Sequence, residues 1–214
     1  MTTRYVALFA LCTIYAPLAA GQLAAGRVEC CSGAPAEIMS YDPNGAFSVR
    51  TIDVEGTVTF DLPEAVDTSQ TVVQTFRCSA GPLSIEGGDT MISPTTLFVA
   101  RDGDELGDLI GVSSEAVASW CLSFGQGSAE EGFRLQWTYA AAPARVEGTC
   151  EAEIYLDSAG ENYAEQTLKY DLAFRPGWNL MRYGINETVT APGGRRHPSR
   201  IKREVVAAVP KGTI

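Results

Sequence analysis

The residues that could do chemistry are few. The chain has one histidine, His197, set in Gly194–Arg195–Arg196–His197–Pro198–Ser199. A Ser-His-Asp site needs its base supported by a carboxylate; this histidine stands among arginines and before a proline. No Gly-x-Ser-x-Gly elbow occurs, and a single histidine cannot supply the two-histidine zinc motifs. Carboxylates are the other source. Arg101–Asp102–Gly103–Asp104–Glu105–Leu106–Gly107–Asp108 offers Asp102, Asp104, Glu105 and Asp108 as hard oxygen ligands for calcium. The spacing is not that of an EF-hand, since Leu106 falls where an oxygen ligand belongs and no Glu follows at the twelfth position. An acidic turn after a strand accounts for the same residues. A pair of acids for glycoside hydrolysis is defined by separation in space, and spacing along the chain singles out none. No cofactor other than calcium is suggested.

Of six cysteines, Cys12 lies in an apolar N-terminal run. Cys30, Cys31, Cys78, Cys121 and Cys150 remain as disulfide candidates. Five is odd, so at least one thiol stays free or bridges two molecules into a dimer. No Cys-x-x-Cys is present, which leaves structural staples as the reading. Trp120, beside Cys121, is expected to pack on a disulfide. Trp137 falls on the apolar face of its strand, and Trp178, after Pro176–Gly177, is the aromatic best placed to meet a partner. Six cations, Arg195, Arg196, Arg200, Lys202, Arg203 and Lys211, face Glu204 alone near the C-terminus. This basic end either meets an acidic partner or envelope polymer or packs on its own acidic body.

The segments that must position these residues read as strands. Thr57–Leu62, Thr71–Cys78, Leu83–Ile85, Leu97–Ala100, Phe133–Tyr139, Val146–Leu156, Thr167–Phe174, Trp178–Tyr183 and Ile201–Val209 are rich in β-branched and aromatic residues, with Gly, Pro and Asp between them. In Phe133–Tyr139 the apolar Phe133, Leu135, Trp137 and Tyr139 alternate with Arg134, Gln136 and Thr138. Two short helices are expected, at Glu105–Ile110 and at Ser114–Trp120, the second capped by Ser113 or Ser114. Period-2 alternation with frequent turns predicts an all-β, mainly antiparallel fold, a disulfide-stapled sandwich or flattened barrel.

At the N-terminus, Arg4 precedes the apolar run Tyr5–Ala16, which ends in Ala19–Ala20–Gly21. That is the order of a secretory leader, too short to span a bilayer as a helix of about 20 residues. Cleavage is expected after Gly21, with Gly26 as a second site. The chain then divides into a leader (1–21), an extended N-terminal arm (22–45) and a single β domain (46–214) ending in the basic strand. The expected location is periplasmic, cell-surface or secreted, without a transmembrane anchor. The net charge of −10 argues against nucleic acid, whose phosphates need the opposite sign.

Glu147–Gly148–Thr149–Cys150, Tyr170–Asp171–Leu172–Ala173–Phe174 and Gly177–Trp178–Asn179 together resemble exported bacterial envelope β proteins of unassigned function, in which a G-T-C strand leads to a Y-D-L…G-W-N strand. The resemblance covers about the last third of the chain. It implies an envelope location and a β fold, and it brings no activity. This chain lacks the lipidated cysteine of some of those proteins. Together these readings predict a non-catalytic binding or structural module. The alternatives are a carboxylate-dependent hydrolase of envelope polysaccharide and a calcium-dependent adhesive module.

Overall fold

A computed structural model describes residues 8–9, 24–28, 35–42, 45–55, 57–60, 62–63, 66–68, 70–157, 160–210 and 213. Among the described residues the fold is mainly antiparallel β with two short helices and one disulfide, and its largest sheet curls into a half-barrel. A three-stranded sheet joins β1 (Leu8–Phe9), β2 (Ala24–Val28) and β5 (Thr57–Phe60). The leader cut expected after Gly21 lies outside the described residues, as do Cys12, Cys30 and Cys31.

A four-stranded sheet contains β3 (Ala36–Asp42), β4 (Gly45–Ile52), β9 (Leu97–Arg101) and β10 (Asp104–Leu109), in the order β10-β9-β3-β4. Residues 36–42, expected within an extended arm, are thus a strand bonded on both sides. The reason is apolar burial: Ile38 is fully covered in a cluster with Ile52, Leu97 and Val99. Asp102 and Gly103 both take positive φ, 52° and 86°. That is the geometry of a two-residue hairpin turn, and it folds β10 back along β9. The helix expected at Glu105–Ile110 is therefore strand β10.

The large sheet runs β6 (Gln70–Thr71), β8 (Met91–Pro94), β12 (Gly132–Ala140), β15 (Gly177–Thr190), β16 (Arg196–Val206), β14 (Tyr163–Phe174), β13 (Ala144–Tyr155) and β7 (Leu83–Glu86), with β11 (Gly111–Val112) also on β12. Between β6 and β7 lies helix α1 (Val72–Thr75), where the sequence pattern predicts a strand. A capping box overrides the β-branched residues there: the Gln74 N–H donates to the Thr71 hydroxyl, and the Thr71 N–H donates to Gln74 Oε1. Helix α2 (Glu115–Leu122) forms as expected, capped by Ser114.

One connection shapes the sheet. β14 and β15 are sequential and joined by Arg175–Pro176, yet β16 lies between them, parallel to β14 and antiparallel to β15. Buried Asn179 holds this corner. It accepts the Arg175 N–H at 3.0 Å, and its amide donates to the carbonyls of Arg175 (2.8 Å) and Gly177 (2.9 Å).

Both helices pack on one face of the sheet. There α1 and Phe76 close a core of Ile92, Val146, Tyr170, Leu172, Phe174 and Met181. The opposite face presents Trp137 and Trp178 to the cluster of the four-stranded sheet. Cys78 and Cys150 form a disulfide that ties the chain just after α1 to β13.

Candidate functional site

The strand register sets one row of side chains across the helix-bearing face. Arg134 of β12 is opposite Tyr183 of β15, Tyr183 is opposite Arg203 of β16, Arg203 is beside Tyr170 of β14, and Tyr170 is opposite Gly148 of β13. Residues opposite one another share a face, so the rung reads Arg–Tyr–Arg–Tyr–Gly. The rungs on either side are largely apolar: Ile185, Ile201, Leu168 and Cys150 on one, Met181, Val205, Leu172 and Val146 on the other. Gly148 ends the polar rung because a Cβ there would come within 2.0 Å of the Pro82 carbonyl oxygen.

The two guanidiniums lean on the rings between them. Arg134 and Arg203 each lie 5.2 Å from the centre of Tyr183, and Arg203 lies 5.8 Å from that of Tyr170. Cation–π contacts of this kind contribute about 0.5–2 kcal/mol. They do not neutralise charge. Among the described residues neither arginine meets a carboxylate, and the Nε of each is buried without a hydrogen-bond partner. Phe76 meets Tyr170 edge-on at 5.8 Å. At the other end Trp120 of α2 stacks on Tyr183 at 6.4 Å, so this tryptophan packs on a tyrosine and not on a disulfide. Its neighbour Cys121 is a free, half-buried thiol. Burial raises the Cys121 pKa above its ordinary value, and Arg134 opposes that rise. Burial likewise raises the Tyr183 phenol, against the pull of Arg203 and Arg134. Both groups therefore stay protonated at neutral pH and can donate hydrogen bonds.

The other cations of the basic end are answered within the molecule. Arg195 donates to the Gly125 carbonyl at 3.0 Å, and Arg196 pairs with Glu130 at 3.0 Å. Arg200 pairs with Glu187. On the sheet face opposite the rung, Lys202 pairs with Glu204 and lies 3.8 Å from Asp171, while Arg182 pairs with Glu204 at 3.2 Å. Lys211 lies outside the described residues. Trp178 is half-buried, donates its indole N–H to the Pro63 carbonyl at 2.7 Å and meets Tyr139 edge-on at 5.4 Å. It is engaged in packing. His197 lies on β16 with its Nε2 buried and unpartnered.

The calcium candidates occupy the β9–β10 hairpin. Asp102 is a turn residue, and the adjacent strand residues Asp104 and Glu105 project to opposite faces. Among the described residues no three His, Cys, Asp or Glu side chains are placed to hold a metal ion. The structure does bring together one acidic pair that the sequence did not single out. Glu153 and Glu165 are directly opposite on β13 and β14, at an open hollow of about 430 Å³ that Glu151 and Thr167 also line. All three glutamates are exposed to water. A general acid for glycoside cleavage needs a desolvated carboxyl, which this hollow does not provide.

Arg134, Tyr170 and Tyr183 carry no sequence signal of function on their own, because the row they form exists only once four strands are in register. Half of it is legible in retrospect. A hairpin centred on Gly193 brings Tyr183 opposite Arg203 by counting ten residues outward on each side of the turn. Comparison with protein-family models, with curated proteins and with solved structures finds no match to this chain.

Proposed function

We propose that the protein is an exported cell-envelope or extracellular β module that holds an anionic partner without transforming it. The observation that carries this reading is the pair of half-buried guanidiniums, Arg134 and Arg203, left without a carboxylate in a chain whose net charge is −10. A half-buried cation is costly unless something pairs with it, and acids are abundant elsewhere on this molecule. The rung therefore reads as a place where the counter-charge comes from outside.

Two features support an extracytoplasmic setting. The Cys78–Cys150 disulfide is a bond that persists in oxidising compartments, and residues 1–21 have the order of a secretory leader. No helix among the described residues is long and apolar enough to cross a membrane. The resemblance of the last third to envelope β proteins points the same way.

The test is expression with residues 1–21 intact in a secreting host, followed by passage of the product over an immobilised sulfated polysaccharide. The expected result is protein recovered outside the cytoplasm, beginning at Gln22, retained on the polymer and eluted by salt, with the polymer's chain length unchanged. A shortened polymer, or full-length protein held in the cytoplasm, would contradict the reading.

A further inference from the structure

We infer that the Arg134–Tyr183–Arg203–Tyr170 rung is a binding site for a dianionic tetrahedral oxyanion, a phosphate or sulfate group, free or as an ester on a larger molecule. This rests on the reading of the protein as a binding module and names the ligand class.

The rung carries two positive charges, and among the described residues neither guanidinium lies within ion-pair distance of a carboxylate. A divalent anion matches that count, whereas a single carboxylate supplies half of it. Geometry agrees. A guanidinium resting on an aromatic face keeps its N–H edge free, and that planar fork suits the oxygens of phosphate and sulfate. The Tyr183 phenol and the Cys121 thiol, both half-buried, lie on the same face as further donors, while Tyr170 is sealed in the core and lends its ring.

Placement also fits. Arg134 and Arg203 stand on non-adjacent strands about 10 Å apart at the backbone, and both converge on the ring between them. Their stems are flanked by largely apolar rungs, with Trp120 stacked on Tyr183 and Phe76 edge-on to Tyr170. Both arginine side chains are half-buried and not sealed, so the guanidinium edges can be approached from solvent. A purely structural cation in this position would be expected to recruit one of the chain's many acids, as Arg182, Arg196 and Arg200 do.

The experiment titrates inorganic phosphate and inorganic sulfate, at constant ionic strength against chloride, into ¹⁵N-labelled protein with its disulfide intact. The readout is the Nε–Hε resonances of Arg134 and Arg203, assigned from the single variants, with Arg145 as the control because it pairs with Glu147 on the surface. The two rung resonances should move together and saturate while Arg145 stays fixed. Arg134→Gln and Arg203→Gln should each weaken binding about tenfold to a hundredfold, the scale of losing a charged hydrogen bond. The ligand-free double variant should melt at the same temperature or higher, because the unpaired charges serve the ligand and not the fold. Arg134→Lys with Arg203→Lys keeps the charges and loses the fork, and should weaken binding less than the glutamine pair does.

A sulfated polysaccharide titrated in parallel identifies the source. Saturation by the polymer at far lower sulfate concentration assigns the site to a polymer ester, and equal affinity per sulfate group assigns it to the free ion. Two results would overturn the proposal: rung resonances that do not move, or equal affinity in wild type and the glutamine double variant. Either would leave export and retention of another anionic partner standing, since those are read by leader cleavage and column retention.

Discussion

Asn179 is the residue on which the β14–β15 corner depends. Its side chain makes three hydrogen bonds to the backbone of Arg175 and Gly177 while 4 % exposed. Asn179→Ala should lower the unfolding free energy by about 2–3 kcal/mol, as expected when buried backbone groups lose their partners; urea denaturation reads this directly. His197 makes a second prediction at this scale. Burial, and then Arg195, lower its pKa below the ordinary 6.5. As pH falls through about 6.5 the unfolded chain takes the proton first, so stability falls with it and is fully present only above that value. Urea midpoints should drop between pH 7 and pH 5, and His197→Gln should drop less over the same interval. The importance of Asn179 was half visible in the sequence. Pro176–Gly177 announces a turn, but the insertion of β16 between β14 and β15 is a tertiary fact that no local pattern encodes.

The elements show where local chemistry suffices and where it fails. Ser114 before an Ala- and Val-containing stretch marked α2, and alternation marked β12, β14 and β15. The Thr71–Gln74 capping box is masked in the sequence because Val72 and Val73 favour a strand by propensity; the acidic turn after β9 is legible and stands at Asp102–Gly103, whereas the segment expected as a helix at Glu105–Ile110 forms strand β10. The rung is hidden from the sequence for a different reason. Arg134 reads as the solvent-side residue of an amphipathic strand, yet α2 packs on that face and Trp120 shares the Tyr183 ring with it, leaving it half-buried. Register at the sheet's edge is held by Gly148, with φ of 133° and no room for a Cβ. Gly148→Ala should displace β7 and expose its amides to hydrogen exchange, while the centre of β15 keeps its protection. Breaking the Cys78–Cys150 link, which spans 72 residues of sequence, should lower stability by about 2–4 kcal/mol, measured by guanidinium unfolding of the Cys78→Ser, Cys150→Ser double variant.

Across the whole molecule, charge is sorted by face. The face opposite the rung carries the ladder Arg182–Glu204–Lys202–Asp171, whose members neutralise one another, and the hollow between β13 and β14 is acidic. The rung holds two half-buried guanidiniums that, among the described residues, meet no carboxylate. The basic C-terminal segment is not an appendage: β16 is bonded on both sides, to β15 and β14. A chain ending at Gly194 should therefore lose its cooperative thermal transition, as differential scanning calorimetry would show. An exported module with a bound anionic partner has a distinctive mass, which native mass spectrometry of the protein purified from its own source without reductant would read. The predicted species begins at Gln22, is lighter by at least the two hydrogens of the Cys78–Cys150 bridge, and carries additional mass that leaves when Arg134 and Arg203 are both replaced by glutamine. A chain that begins at Met1, with all thiols free and nothing bound, would contradict it.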